Sequence, residues 1–306
     1  MTSAWRRLGR LPLDVSAAPW AHSHAALPVV EPVDDGFALY LSLRDKEGRA
    51  RIGRALLTMH PAPALGPLEA DPVVDLGTLG TFDDSGVTSS CLVRDGHRRL
   101  CYYTGWTRGV TVPFYLAAGL AVSTGNGPFT RVSAAPLLDR SAADPLLTAS
   151  PFVMLDDGRW RMWYVSGTRW RTTPSGPQHD YHIRYAESAD GVTWRREGTV
   201  SIDYAAPDEH AIARPWVIRD AGAYRMWFAV RGTSYRIVCA DSPDGVHWTR
   251  RPSLGLGATG EGWESTMVEY PCVFDHDGRR FMLYNGDDYG RSGVGVAVLD
   301  QGLGGG

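Results

Sequence analysis

Glu269 stands two residues before a proline, at the edge of the strand-like apolar segment YPCVF that begins at Tyr270. Four other segments share this apolar pattern, and at the matching position they carry small residues: Ala26, Ser89, Ala149 and Ala213. Burying a carboxyl group costs free energy unless another group compensates for the loss of water. One acidic residue at a position where the other segments carry small residues therefore indicates a functional side chain. Glu269 is therefore a candidate general acid, and a structural ion pair with Arg214 is the alternative interpretation.

Two other carboxyl groups are candidates for the base that would work opposite Glu269. Asp84 lies in the segment Asp83-Asp84-Ser85-Gly86, and Asp288 lies in the Gly-rich segment 285–290. Both segments can also form ordinary turns, which favour aspartate and glycine. General acid–base catalysis commonly pairs a proton donor with a group that accepts a proton. We therefore take Glu269, Asp84 and Asp288 as the candidate catalytic residues.

Histidine, arginine and aromatic side chains near the strand ends are candidates for holding a substrate. Arginine and histidine can fix hydroxyl or phosphate groups, and aromatic rings stack on the apolar face of a sugar. Interior packing is the alternative for the aromatic residues, a structural histidine for His24, and a hairpin turn for Asn285. The candidate substrate-binding residues are His24, Trp106, Trp170, His182, Arg214, Arg231, Tyr235, Tyr270 and Asn285.

His22 and His24 lie two residues apart and would share one face of a strand, which could suggest a metal site. A protein zinc site needs at least three protein ligands, and no third ligand is identifiable in the sequence. We expect neither a metal ion nor a cofactor.

The elements that must position these residues repeat along the chain. Five aromatic or apolar strand segments are centred on Tyr40, Tyr102, Trp163, Trp227 and Leu283, at spacings of 62, 61, 64 and 56 residues. An apolar strand precedes each segment, a third strand follows, and two repeats show a matching Asp-Gly turn and edge strand. Four strands repeated five times predict an all-β fold, a single five-bladed β-propeller domain with four antiparallel strands per blade. The blades are expected at about residues 20–60, 84–132, 144–200, 208–252 and 263–300 of the single domain 1–306.

Composition excludes several classes of partner. The chain has 306 residues and a formal net charge of −3, so it offers no basic field for nucleic acid. No apolar run approaches the ~18 residues of a membrane helix, and residues 1–20 lack the apolar core of a secretory signal. We therefore expect a cytoplasmic protein without nucleic-acid or membrane partners.

The four cysteines, Cys91, Cys101, Cys239 and Cys272, show no C-x-x-C spacing, and each lies in a strand-like apolar segment. We interpret them as free buried thiols in a reducing compartment, the alternative being a disulfide between Cys91 and Cys101.

The whole chain resembles the five-bladed propeller superfamily of glycosidases that includes arabinanases, β-xylosidases, invertases and levansucrases. Within it, the chain is most similar to glycosidase-like bacterial propellers that are often found near polysaccharide or natural-product genes. Segments that carry the resemblance include HAALPVV (24–30), FDDSGVTSS (82–90), TASPFVML (148–155), ARPWVI (213–218), VEYPCVFDHDG (268–278) and YNGDDYG (284–290).

The resemblance implies a role for Glu269, because the family's catalytic glutamate commonly stands two residues before a proline. The family also places an aspartate directly before the proline of the first inner strand. Here Leu27 precedes Pro28, so the family's usual nucleophile or base is missing at that position.

Three functions follow from these observations. The first is a glycoside hydrolase-like enzyme acting on a small glycoside or glycosylated metabolite by acid–base catalysis in the central funnel. The second is an enzyme of the same fold that performs elimination, cyclisation or isomerisation of a small metabolite. The third is a glycan-binding propeller without catalysis. An acid and base facing each other would favour the first, and an isolated carboxyl in an aromatic cage the third.

Overall fold

The structure is a computed structural model that describes residues 4–300, and nearly all its regular elements are β-strands. The prediction of an all-β chain is confirmed. Several hairpins use the turn chemistry that their sequences predict. The pairs Asp157-Gly158, Ala221-Gly222 and Asp277-Gly278 each adopt positive φ angles at both residues, as two-residue hairpin loops of the I′ type require.

Within residues 4–300, twenty strands lie in groups of four, and neighbouring strands within a group pair antiparallel. The first group contains β2 (Ser23–Val33), β3 (Gly36–Arg44), β4 (Ala50–Thr58) and β5 (Ala64–Leu65). The second group contains β6 (Gly86–Asp95), β7 (Arg98–Arg108), β8 (Phe114–Thr124) and β9 (Thr130–Arg131).

The next two groups repeat this order. The third contains β10 (Thr148–Asp156), β11 (Arg159–Thr173), β12 (Gly176–Ser188) and β13 (Val200–Ile202). The fourth contains β14 (Ala211–Asp220), β15 (Ala223–Arg231), β16 (Tyr235–Ser242) and β17 (Thr249–Arg250).

The last group joins the two ends of the described chain. It contains β18 (Glu269–His276), β19 (Arg279–Asn285) and β20 (Val294–Leu299), and β20 pairs antiparallel with the N-terminal strand β1 (Trp5–Leu11). The single turn α1 (Asp287–Gly290) follows β19. Short 3₁₀ turns form at Pro252–Leu254 and Gly262–Glu264.

The first strands of the five groups contact one another in cyclic order. β2 contacts β6, β6 contacts β10, β10 contacts β14, β14 contacts β18, and β18 contacts β2. Single parallel bridges, Ala50 to Gly86 and Tyr181 to Ala211, join neighbouring groups within two eight-stranded sheets. Apolar and aromatic side chains of all five groups fill one continuous core.

A bulge interrupts every first strand at the same register. The pairing shifts after Ala26, Ser89, Ala149, Ala213 and Glu269. In four of the strands a residue directly before proline adopts a left-handed backbone: Leu27 (φ 53°), Ser150 (45°), Arg214 (55°) and Tyr270 (57°). Proline cannot donate to the ladder, so the strand bulges there and re-aims the side chains before it. The five positions aligned from the sequence therefore lie at equivalent depths.

All four cysteines are buried free thiols, and no disulfide joins Cys91 to Cys101. Burial raises the pKa of Cys91 and Cys101 to about 12, so both stay protonated at neutral pH. Among residues 4–300, no helix is long and apolar enough to cross a membrane.

Candidate functional site

A cavity of about 530 Å³ opens where the first strands begin. Aromatic side chains dominate its wall, and they are Trp106, Phe114, Tyr181, Tyr235, Tyr270 and Tyr289. Its charged side chains are Arg44 and Arg231. Among the residues that the structure describes, no aspartate or glutamate lines it. The volume suits a small ligand, since ligand sites commonly measure about 300–1,000 Å³.

Glu269 lies directly behind this wall. The register-equivalent residues Ala149 and Ala213 line the cavity, so the Glu269 side chain points towards the same space, where tyrosine rings cover it. Glu269 is 0% exposed, and neither carboxyl oxygen has a hydrogen-bond partner of standard geometry. It is a buried carboxyl aimed at a ligand cavity.

The environment of Glu269 favours its neutral form. Burial raises the pKa of Glu269 well above its ordinary value, and this effect outweighs the opposing influence of the nearby Tyr270 side chain and Arg231 guanidinium. A carboxylic acid that keeps its proton at neutral pH can donate it to a leaving group.

Arg231 and three tyrosines form the part of the wall nearest to Glu269. The Arg231 Nη1 donates to the Tyr289 hydroxyl at 3.1 Å, and its guanidinium lies 5.3 Å from the centre of the Tyr235 ring. The hydroxyls of Tyr181 and Tyr235 hydrogen-bond to each other. These contacts hold the hydroxyl groups in fixed positions at the cavity surface.

Aromatic rings and an imidazole form another side of the wall. The ring of His179 lies 4.8 Å from that of Tyr181, 5.0 Å from that of Trp170 and 5.2 Å from that of Phe114. Burial, with a smaller contribution from Arg231, lowers the pKa of His179 to about 4, so the imidazole is neutral at pH 7. Trp170 does not line the cavity itself, but its ring packs against His179, which does.

Trp106 closes the side of the cavity formed by the second group. Gly86 lies beneath it, and a Cβ at Gly86 would lie 2.0 Å from the Trp106 Nε1. Only glycine therefore lets the indole pack here and face the cavity.

His24 and Asp288 lie at the rim near Arg44 and do not line the cavity. Burial and then the positive charges of Arg44 and Arg291 lower the pKa of His24 to about 4, while Asp288 acts in the opposite direction. The Asp288 side chain is exposed. The rim therefore combines a neutral imidazole with an accessible carboxylate.

Arg214 does not contact Glu269, so the alternative of an ion pair between them is wrong. Its guanidinium donates to the backbone carbonyls of Ser89 at 2.7 Å and Pro28 at 2.9 Å. These carbonyls belong to β6 and β2, which stand opposite β14 in the cyclic order, so the side chain crosses the centre of the molecule. Arg214 is 1% exposed and does not line the cavity, which removes it from direct substrate contact.

Asn285 is committed to the protein interior. Its amide nitrogen donates to the carbonyls of Ala25 at 2.7 Å and Gly293 at 2.8 Å, and its amide oxygen accepts from Leu27 N at 2.9 Å. The side chain ties β19 to β2, and no polar atom of the amide is left for a substrate.

His182 and Asp84 also lie outside the cavity wall. His182 follows Tyr181 on β12 and so points to the opposite face, where its Nε2 accepts from Arg184 and its Nδ1 lies 3.3 Å from Asp203. The Asp84 carboxylate accepts from Gly80 N at 3.0 Å and Ser85 Oγ at 2.9 Å, within a turn.

The predicted residues that meet at the cavity are thus Trp106, Arg231, Tyr235 and Tyr270, with Glu269 behind them. The sequence interpretation missed Arg44, Phe114, His179, Tyr181 and Tyr289 as lining residues. Strand alternation offered one signal, because Tyr181 and His179 share a face from which His182 is excluded.

The whole fold is similar to solved structures of propeller-type glycoside hydrolases. A solved structure of BT0996 in an RGII complex matches with a TM-score of 0.76 and 18% identity, covering 96% of this protein and 91% of that one. The endo-arabinase from Bacteroides thetaiotaomicron VPI-5482 matches with a TM-score of 0.66 and 14% identity, covering 92% and 96%. The Bombyx mori GH32 beta-fructofuranosidase BmSUC1 matches with a TM-score of 0.60 and 12% identity, covering 91% and 62%. At these identities the likeness extends to the fold.

One sequence relative is much closer. The Mycobacterium tuberculosis (strain H37Rv) protein described as "Uncharacterized protein Rv1502" is 44% identical over 300 residues, covering 97% of this chain and all of that protein. No family model matches the sequence.

Proposed function

We propose that this chain, which belongs to the family of the uncharacterized mycobacterial protein Rv1502, is a propeller-fold enzyme that acts on a sugar, with Glu269 as its proton donor. In this proposal the five strand groups are the blades of one closed propeller, and the aromatic cavity is its funnel. The cyclic contacts of the first strands support this arrangement. Cytoplasmic location and a small glycoside or glycosylated metabolite as substrate stay predictions from the sequence.

The observation that carries the proposal is a fully buried carboxyl group at an aromatic cavity. A structural carboxylate is normally stabilised by several hydrogen bonds or an ion pair. Within residues 4–300, Glu269 forms no ion pair and no hydrogen bond of standard geometry, and the Tyr270 side chain is the hydrogen-bonding group beside it. The neutral form of Glu269 can donate a proton. Tyr270 lies beside the Glu269 carboxyl and also lines the cavity, so its hydroxyl can relay the proton from Glu269 to a ligand. The aromatic rings supply stacking surfaces for a sugar.

A single acid behind the wall also supports a second candidate function. Hydrolysis with two carboxyl groups places them about 5–9.5 Å apart across the substrate. No carboxylate lines this cavity among the described residues, and the exposed Asp288, close to His24, is a candidate base at the rim. Elimination or isomerisation of a sugar needs one acid–base group and fits the observed wall without a second carboxylate.

The test is turnover by the Glu269→Gln variant. Wild-type protein is first assayed against a panel of alkyl and 4-nitrophenyl glycosides, with products identified by NMR as hydrolysed, unsaturated or isomerised sugars. On an alkyl glycoside, we expect the variant to lose about 10²- to 10⁴-fold in kcat, the usual contribution of a general acid. On a 4-nitrophenyl glycoside, whose leaving group needs no proton, much of that rate should return.

The matched control is Glu264→Gln. Glu264 is also buried, but it pairs with Arg7 and lies outside the cavity wall, so turnover should stay at the wild-type level. Unchanged turnover in the Glu269 variant on an alkyl glycoside would remove Glu269 as the proton donor. Sugar binding without turnover of any panel member would favour the glycan-binding alternative.

A further inference from the structure

The charge of the cavity wall is positive. Arg44 and Arg231 are its ionised side chains, and no carboxylate among the described residues lines it to balance them. The one acidic group directly behind the wall, Glu269, favours its neutral form. A ligand in this cavity therefore meets two guanidinium groups and, among the described residues, no carboxylate in the wall.

Among the described residues, several other buried or half-buried arginines pair with carboxylates, whereas the buried Arg214 binds backbone carbonyls. Arg51 binds Asp45 and Asp75, and Arg280 binds Asp220 and Asp275. A guanidinium held near the protein interior usually needs such a partner, because removing it from water is costly.

Arg231 forms no ion pair with a carboxylate in the described part of the chain. Its Nε donates to His210 Nε2 at 3.0 Å and its Nη1 to the Tyr289 hydroxyl at 3.1 Å, while Tyr235 presents a ring face. None of these three contacts is with a carboxylate. These contacts orient the guanidinium towards the cavity without neutralising it.

Arg44 is similar. Within residues 4–300 it forms no ion pair, its side chain is exposed to the cavity, and its charge reaches both His24 and Tyr270. At His24 the positive influence of Arg44 and Arg291 exceeds the negative influence of Asp288. The rim field is therefore positive as well.

We propose that the substrate is a sugar carrying an anionic group, a carboxylate, phosphate or sulfate, which Arg44 and Arg231 bind. Guanidinium groups form strong, charge-assisted hydrogen bonds to such planar or tetrahedral anions. The aromatic rings beside them hold the sugar ring. This inference rests on the proposed function, because it assigns a substrate class to the same cavity.

The experiment measures binding of three probes by isothermal titration calorimetry at low and at physiological ionic strength. The probes are methyl β-D-glucuronide, glucose 6-phosphate and the neutral methyl β-D-glucoside. At least one anionic probe should bind about tenfold or more tightly than the neutral one, and added salt should reduce this preference. Glucuronide and phosphate arms distinguish a uronic acid from a sugar phosphate.

Three variants test the assignment to the arginines. Arg231→Gln and Arg44→Gln should each weaken binding of the anionic probe by about 10–100-fold, as loss of a charged hydrogen bond predicts, and weaken binding of the neutral probe by a much smaller factor. Arg54→Gln is the control, because Arg54 pairs with Glu69 away from the cavity. Near-ultraviolet circular dichroism verifies that each variant is folded.

Equal affinity for all three probes would overturn this inference while leaving the role of Glu269 open to its own test. Anion preference that survives in both cavity variants would overturn it too. Conversely, an intact anion preference combined with unchanged turnover in Glu269→Gln would reject the proposed proton donor alone.

Discussion

At the scale of single residues, Glu269 is unusual because its surroundings disfavour its charge. The carboxyl is buried, forms no hydrogen bond of standard geometry within residues 4–300, and lies among tyrosine rings. Desolvation raises the pKa of a buried acid. Neighbouring groups that are neutral, or charges that are distant, do not lower that pKa enough to compensate. The same physical state that suits a proton donor makes the residue a cost to the folded protein once it ionises.

Glu269→Gln should therefore raise stability at alkaline pH. In the folded state the pKa of Glu269 lies above its unfolded value near 4.5, so its stability contribution is complete below pH 4.5 and is lost as pH rises towards the folded pKa. Glutamine keeps the shape and cannot ionise. The melting temperature of the variant, relative to wild type, should increase from pH 4.5 to pH 8.

Differential scanning calorimetry at these two pH values provides the measurement. The control is again Glu264→Gln, which removes an ion pair and should lower the melting temperature at pH 8. A Glu269→Gln protein that melts below wild type at pH 8 would mean that the carboxylate has a stabilising partner after all.

At the scale of elements, one amide fastens the last strand group to the first. Asn285 on β19 forms three buried hydrogen bonds, two of them to β2 beside its bulge. The neighbouring Asp287 carboxylate accepts from the backbone and side chains of Ser265 and Thr266 and from Met267 N, which lowers its pKa to about 2. Together they fix the loops that carry Tyr289 and precede Glu269.

Asn285→Ala should destabilise the fold by about 2–4 kcal/mol, because it removes the partner of the buried Ala25 carbonyl and of the part-buried Leu27 N–H and Gly293 carbonyl. Urea unfolding followed by tryptophan fluorescence measures this loss. The control is Asn126→Ala, since Asn126 is exposed in a turn and should change stability by less than about 0.5 kcal/mol. Equal stability of the two variants would contradict the fastening role.

The sequence predicts the strands well because alternation, turns and the proline register are local signals. The sequence alignment places Glu269 at the same position as Ala26, Ala149 and Ala213. The structure has the same bulge at this position in each of these strands, directly before Pro28, Pro151, Pro215 and Pro271. The sequence could not predict the hydrogen-bond partners of Asn285 or Arg214, because these bonds join strand groups that are far apart in the chain. A different limit applies to His182 and Tyr181. Adjacent residues on a strand point to opposite faces, so a prediction that is off by one residue names His182 where Tyr181 lines the cavity.

At the scale of the whole molecule, Arg214 occupies the centre. Its side chain runs from β14 to carbonyls on β2 and β6, and burial lowers its pKa to about 10, which leaves it charged at neutral pH. It thus links three of the five groups without a carboxylate partner. The propeller-type architecture was predictable from the repeat, whereas this central cation has no repeating counterpart in the sequence.

Arg214→Met should lower the free energy of unfolding by about 2–4 kcal/mol, because the carbonyls of Ser89 and Pro28 lose their donors inside the protein. Guanidinium chloride unfolding measures the change. Arg159→Met serves as the control, because Arg159 is exposed on a hairpin, and its loss should be nearly neutral. A variant as stable as wild type would show that the centre tolerates an apolar filling.

The pairing of β1 with β20 has a consequence for biosynthesis. Trp5 pairs with Leu299, so the two strands are translated about 294 residues apart. At roughly 5–20 residues per second, a ribosome needs about 15–60 seconds between them. Throughout that interval the segment that forms β1 lacks its partner strand, and its charged Arg6, Arg7 and Arg10 are of the kind that keep such a segment from pairing with other chains. In the nascent protein, β1 can therefore pair with β20 only after the other four strand groups have been translated.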